Sequence, residues 1–505
     1  MPGPAQPDSP DDSLDASPDD SLDASRAAGA GDQSMSVLVL VGDALRRDAL
    51  AMQLPAGGPS AFTSRLDHGW IRFDRCYAAA PWTLPASTSL LTATDPLVHE
   101  HWSHRHTLAA DSLVPEFPTA HRAAVINNSV LRRMAGLSAG FEPYLWISDT
   151  TESFAAASEF LRERTADGAS YFLMVHSNLP HDYYLPDAQR AYEHWFPERH
   201  DFAPIGYRVL AWKGVVREQA RMRRTYDASV LRLHEGLDAL LEAAPLDRTI
   251  VLVLADHGEG FEPELARIHH GGRVHDDLVR VPCALWLPPN VPPSVRTQLA
   301  AVAAGAGAVG VVDLLPTLLG LLGRDVTPGR SGRDLSKVID GSASASAEHR
   351  VLRIEDRRYL YLASRLRLNT NAQGKNMSRV AKLRNRAWRA TVAKRHVLQG
   401  FVDGRWKLVV TEFVAPSAFA ARAGSWRLAQ QHNGHPFVVV RGRSWFGFEL
   451  FDVDTDPGER TNRLLGRGSP NARGDLGTRL LATVDAYRAG DLTPHLADLA
   501  SPGAS

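Results

Sequence analysis

The sequence predicts an α/β fold, with a large central, mostly parallel β-sheet flanked by helices and a smaller C-terminal α+β subdomain. Three observations point there. The runs Val37-Leu38-Val39-Leu40-Val41, Tyr171-Phe172-Leu173-Met174-Val175 and Thr249-Ile250-Val251-Leu252-Val253-Leu254-Ala255 are unbroken and apolar, as in strands buried on both faces. Between the last two, Val230, Leu233, Leu237 and Leu240 recur at helical spacing, which makes a core-facing helix. A chain of 505 residues, 44% hydrophobic and 22% charged, buries a large core and divides into one big domain plus a smaller one.

The formal net charge of -1 gives no global pull toward nucleic acid or membrane, so neither a nucleic-acid partner nor membrane insertion is expected. Two cysteines, Cys76 and Cys283, make no disulfide framework and favour a reducing compartment. The N-terminus lacks the basic–apolar–small pattern of a secretory signal. The longest apolar stretch, 301–323, is broken by Asp313 and Pro316 and reads as a core helix with its lead-in. A cytoplasmic location is the default expectation. Residues 1–35 hold a near-perfect acidic tandem repeat, Ser-Pro-Asp-Asp-Ser-Leu-Asp-Ala, and read as a disordered leader.

Order begins with the strand at 37–41, closed by Gly42. Asp43 follows at its carboxyl end, where open α/β sheets gather their ligands. Asp43 is a candidate metal ligand or a cap for the helical stretch after it.

The segment Ala80-Pro81-Trp82-Thr83-Leu84-Pro85-Ala86-Ser87 places a hydroxyl beside a helix start near Pro85, since proline suits a first turn. Free N–H groups and the helix dipole favour an anion there. Thr83 is either a residue of a capped helix start or a nucleophile activated by a neighbouring metal or base.

Further along, Ala124-Val125-Ile126 reads as a strand ending in Asn127-Asn128. The strand from Tyr171 leads through His176 to the loop with His181. His181 is a conditional substrate ligand, and His176 carries less weight.

The strand at 249–255 ends in Asp256-His257-Gly258-Glu259. An acid and an imidazole in succession suit a divalent cation, and Gly258 allows a tight turn below them. Downstream, His270 and Arg273 can reach over the same place and are candidate substrate-binding residues. Asp43, Thr83 and Asp256-His257 each follow a buried strand or open a helix, and together they make a constellation.

These residues resemble the sulfatase branch of the alkaline phosphatase superfamily. Val39-Leu40-Val41-Gly42-Asp43 looks like its first metal motif and Leu254-Ala255-Asp256-His257-Gly258-Glu259 like its second. His270-Gly271 followed by Leu278-Val279-Arg280-Val281-Pro282 matches the next segment in spacing. Val312-Asp313-Leu314-Leu315-Pro316 is similar to the helix after the core. Gly404-Arg405-Trp406-Lys407-Leu408 and the segment from Glu449 to Asn462 resemble its C-terminal pattern. The match runs in order from about residue 36 to 465. Two departures stand out. Thr83 occupies the position of the Cys or Ser that sulfatases oxidise to formylglycine, and Ala44 stands where many members carry a second acid.

The resemblance implies a metal-dependent ester hydrolase with an alkaline phosphatase-like fold. It implies one divalent ion (Mn²⁺, Mg²⁺, Ca²⁺ or Zn²⁺) held by Asp43, Thr83, Asp256 and His257, with His181 and His270 contacting a small anionic ester. Threonine at the nucleophile position resembles the phosphoryl-transferring relatives. The reading is therefore hydrolysis of a phosphate or phosphonate ester through a phospho-threonine. A sulfuric ester hydrolase, a phosphoryl or phosphoglycerol transferase and a degenerate anion-binding domain are its alternatives.

The run His99, His101, His104 and His106 reads as structural, with metal binding as the alternative. Residues 357–402 contain no acid and many Lys and Arg, and read as either an exposed insertion or a recognition surface for a polyanion. Strands near 437–440 and 448–451 suggest a C-terminal antiparallel sheet. The expected layout is a leader at 1–35, a catalytic domain at 36–340, a C-terminal subdomain at 341–465, and a polar linker with one tail helix at 466–505.

Overall fold

The computed structural model describes residues 35–102, 108, 111–183, 188–199, 212–262, 267–337, 351–356, 396–414, 437–441, 444–464 and 482–486. The leader and most of the basic stretch, 357–395, lie outside the described residues, as does the expected boundary near 340.

Strand β1 (Ser36–Asp43) is buried along its whole length because it lies in the middle of a seven-stranded sheet. The order is β2 (Ile71–Arg72), β10 (Cys283–Trp286), β7 (Thr249–Ala255), β1, β6 (Tyr171–Pro180), β4 (His121–Ile126) and β5 (Tyr144–Trp146). Strands β7, β1, β6, β4 and β5 run parallel, and β10 and β2 add an antiparallel edge. The three apolar runs of the sequence are thus adjacent strands. Their parallel pairing brings the carboxyl ends of β1, β6 and β7 to one edge, at Asp43, Pro180 and Ala255.

Two short pairs complete the larger part. These are β3 (Cys76–Tyr77) with β11 (Val309–Gly310), and β8 (Phe261–Glu262) with β9 (Arg267–Ile268). The helix Trp212–Ala243 packs on the sheet through Val230, Leu233, Leu237 and Leu240, all buried. The apolar stretch around 301–323 divides into the end of helix Pro293–Ala304, β11 and the buried helix Leu314–Leu321. No helix among the described residues is long and apolar enough to cross a membrane. Cys76 and Cys283 are both free and buried.

The C-terminal part is a five-stranded antiparallel sheet in the order β12 (Leu352–Asp356), β13 (His396–Asp403), β14 (Trp406–Val414), β16 (Ser444–Asp452), β15 (Phe437–Arg441). The last residues of the basic stretch, 396–402, belong to β13. Residues 482–486 form a short helix from which Val484 enters the core of this sheet. The sheet is tied to the larger part by buried charge. Lys407 Nζ bonds Asp276 at 2.6 Å and Glu459 at 2.9 Å, with its side chain fully buried. Asp356 accepts the Gly272 N–H, and the Glu459 carboxylate accepts the Asp276 N–H at 2.7 Å.

Three buried imidazoles set an acid limit on stability. Burial pushes His99 down to about 3, and His234 and His275 down to about 4. The folded state therefore binds fewer protons than the unfolded chain, and stability falls as pH drops below the usual imidazole range toward those values. By pH 5 each neutral imidazole costs the fold about 2 kcal/mol relative to pH 7. The unfolding midpoint should fall steeply between pH 6.5 and 4.5, and His234→Gln should flatten that slope. An equal slope in the variant removes His234 from the account.

Candidate active site and metal centre

The helix Thr83–Thr92 begins at Thr83, two residues before the expected start, with Trp82 as an extended N-cap (φ -164°, ψ 158°). Pro85 occupies the first turn, where its missing N–H costs nothing. All ten residues of the helix are buried, so the Thr83 hydroxyl is fixed at the helix's positive end beneath the sheet edge.

There it meets the strand ends. Thr83 Oγ1 donates toward Asp43 Oδ2 at 3.5 Å and lies 3.3 Å from His257 Nε2. His257 Nε2 is 3.3 Å from Asp43 Oδ1 and 3.9 Å from Asp256 Oδ2. Asp43 and His257 are fully buried, and Asp256 is 3% exposed. Asp43, Thr83, Asp256 and His257, separated by up to 214 positions in the chain, thus share one small space.

The local backbone explains the fit. Asp256 Oδ1 accepts the N–H groups of Ala44 (3.2 Å) and His257 (2.8 Å), which turns Oδ2 toward the centre. His257 Nδ1 lies 2.8 Å from the Gly258 carbonyl. A carbonyl only accepts, so Nδ1 carries the proton and Nε2 presents its lone pair to the centre. Gly258 is required here because a Cβ would sit 2.2 Å from the Asp277 carbonyl oxygen.

The donor set fits a divalent cation. Asp43 Oδ1, Asp256 Oδ2 and both ring nitrogens of His176 are buried with no hydrogen-bond partner. Donor atoms from Asp43, His176 and Asp256 lie within 4.8 Å of one another. Buried polar atoms in this state are costly unless something binds them.

Two further histidines cover the centre. The His181 and His270 rings are 4.9 Å apart, and His270 is 4.7 Å from His257. Each is steered by a carboxylate, Asp182 at 3.0 Å from His181 Nδ1 and Glu259 at 3.2 Å from His270 Nδ1. Burial opposes charge on His181, but Asp43 and Asp182 outweigh it and raise the imidazole to about 9. Burial also works against ionised Asp43, yet His181 and then His257 hold it well below the usual carboxylate range. For His257, Asp256 and Asp43 overcome burial and raise its pKa.

Arg273 is placed differently. Asp277, four residues on, captures its guanidinium, and Nη2 donates to the His269 carbonyl at 2.9 Å. No hydrogen bond or ion pair joins it to Asp43, Thr83, Asp256 or His257. Its bonds brace the loop that carries His270. His99 and His101 bond to residues further along the same helix as Thr83, Ser89 and Thr88, at 2.9 Å each. His104 and His106 lie outside the described residues.

Three residues escape a reading of the sequence alone, and a fourth, His176, carries little weight there. Asn128 donates to Asp43 Oδ2 and fixes that carboxylate. Glu259, fully buried, and Asp182 orient the two covering histidines. His176 points its unpartnered ring at Asp256, 3.4 Å from Nε2 to Oδ2. Asn128, Asp182 and Glu259 share one signal, a polar side chain just past the carboxyl end of a buried strand, whereas His176 lies within β6.

A family model described as Sulfatase matches residues 36–324. No curated protein matches the sequence well enough to count as a relative. Among solved structures, the chain is similar to a 2-O GAG sulfatase (15% identity, TM-score 0.56, covering 91% of this chain and 93% of that one). It is similar to a protein solved with its substrate D-glucosamine-2-N,6-O-disulfate (14%, TM-score 0.56, 91% and 99%). It also resembles the phosphonate monoester hydrolase of Agrobacterium radiobacter (13%, TM-score 0.54, 91% and 97%). These likenesses are of fold. The family match covers more than half of the chain, and the chain belongs to the sulfatase family of ester hydrolases, on the alkaline phosphatase-like fold.

Proposed function

We propose that the protein hydrolyses a small anionic phosphate or phosphonate ester, with Thr83 as nucleophile and one divalent cation held by Asp43, Thr83, Asp256 and His257. The observation that supports this reading is the contact of Thr83 Oγ1 with both Asp43 (3.5 Å) and His257 (3.3 Å) at a buried helix N-terminus.

The cation, when bound, supplies Lewis acidity that lowers the pKa of a neighbouring hydroxyl and polarises an ester oxygen. Thr83 Oγ1 releases its proton to solvent and attacks phosphorus as the bond from phosphorus to the leaving alcohol breaks in line. His181, cationic and backed by Asp182, binds the anion and gives its proton to the departing oxygen. His270, backed by Glu259, faces the same space and binds a non-bridging oxygen. Water then attacks the phospho-threonine and restores the hydroxyl.

Threonine favours phosphorus over sulfur. Its single hydroxyl cannot become the hydrated aldehyde of formylglycine chemistry, so release from Thr83 needs attack at the bound acid itself. The family membership and the sulfatases among the structural neighbours favour a second reading, in which a sulfate ester takes the same place. Aryl phosphate, phosphodiester, phosphonate and sulfate esters assayed side by side test the two. We expect phosphoester or phosphonate turnover to exceed sulfate turnover at least tenfold. Sulfate turnover alone would sink the phosphoryl reading, and no turnover of any ester with a cation still bound would favour a transferase or an anion-binding domain.

A further inference from the structure

We propose that His176 is an additional ligand of the cation centre, which makes it a site of two carboxylates and two imidazoles built for a nitrogen-preferring transition ion over Mg²⁺ or Ca²⁺. This rests on the reading above that Asp43, Asp256 and His257 hold a cation.

Strand β6 lies between β1 and β4, and its register sets His176 opposite Val41 and Ile126. The ring sits deep in the sheet, with no exposure. A neutral imidazole carries one N–H donor and one acceptor lone pair, yet neither nitrogen of His176 has a hydrogen-bond partner. Leaving such a group unpaired costs about 1–3 kcal/mol. A purely packing role gives no reason for an imidazole at this position.

The spacing gives a reason. A charge-assisted N–H···O bond closes to about 2.7–2.9 Å. Two donors about 2.05 Å from one tetrahedral ion stand about 3.3 Å apart. His176 Nε2 to Asp256 Oδ2 is 3.4 Å, and His257 Nε2 to Asp43 Oδ1 is 3.3 Å. Both are ligand-to-ligand distances, too long for good hydrogen bonds. Residue 44 is alanine, with a left-handed backbone (φ 58°) that spends its N–H on Asp256, so it offers no side-chain donor to the centre. His176 reaches in from the neighbouring strand. Two neutral nitrogens in the set favour Zn²⁺ over Mg²⁺ and Ca²⁺, which prefer all-oxygen shells.

The full-length protein is stripped with chelator, dialysed and titrated separately with Zn²⁺, Mn²⁺, Mg²⁺ and Ca²⁺ against a chromophoric chelator. Wild type should bind Zn²⁺ at least 100-fold tighter than Mg²⁺ or Ca²⁺, and His176→Gln should lose about 100-fold of that Zn²⁺ affinity. X-ray absorption of the Zn²⁺-loaded wild type, which needs no variant to fold, should count two imidazole nitrogens. One imidazole, or unchanged Zn²⁺ affinity in a folded His176→Gln protein, overturns the assignment of His176 and leaves the other ligands standing. Absence of any cation binding by wild type overturns the metal centre itself.

Discussion

Replacing Thr83 with alanine should abolish ester hydrolysis, by about 10³-fold or more in kcat/KM, while leaving the fold intact. In the function proposed above this hydroxyl forms the covalent intermediate, and its loss leaves that step without a nucleophile. The structural cost is small. Alanine is a better helix former than threonine at the first helical position, and the lost hydrogen bond is a long one, at 3.5 Å. The midpoint of thermal unfolding should therefore move by only a few degrees. Thr83→Ser keeps an oxygen at the same place and should retain measurable turnover. Activity in Thr83→Ala within tenfold of wild type would exclude this residue as the nucleophile.

Removal of the cation should have an effect of comparable size on turnover and a larger one on stability. Without it, the unpartnered oxygens of Asp43 and Asp256 and the ring of His176 remain buried and unsatisfied. A ligand present at about 1,000 times its Kd contributes about 4 kcal/mol, and chelation should withdraw a share of that order. Dialysis against chelator should thus lower the unfolding midpoint by several degrees and bring turnover to background, and added Zn²⁺ or Mn²⁺ should restore both. Asp256→Asn should show the same loss of turnover without recovery. Full turnover in chelator, from protein that elemental analysis finds free of metal, would contradict the centre.

Much of the architecture was legible from local chemistry. The unbroken runs that became β1, β6 and β7 carry their burial in their composition, and a strand followed at once by Asp43 or by Asp256-His257 announces a polar end. Thr83 was legible because Trp-Thr-Leu-Pro writes a helix start, although the helix opens at Thr83 itself rather than near Pro85. What the chain did not disclose depends on strand order. His176 carries little weight in the sequence, and its contact with Asp256, like that of Asn128 with Asp43, depends on β6 lying beside β1 and β4 beside β6, facts of pairing that no single segment contains. Glu259 and Asp182 were hidden for another reason. Asp182 looks like an ordinary surface acid until the folded loop sets it against His181, and Glu259 meets His270 only because the loop returns eleven residues later. Arg273 is held by Asp277 and the His269 carbonyl, partners that its place in the sequence did not announce.

The salt-bridged lysine beneath the second sheet bears on where this molecule can be cut. The family match stops at residue 324, yet Lys407, some eighty positions later, neutralises Asp276 on the helix just after the His270 loop. A truncated protein ending at the match would take Lys407 from Asp276, leaving it only the longer contact with Arg280 at 3.7 Å, and would leave Gly272 without Asp356. The catalytic machinery is therefore not a portable fragment, and shortened versions prepared for crystallography or engineering should collapse or aggregate unless they run past Glu459.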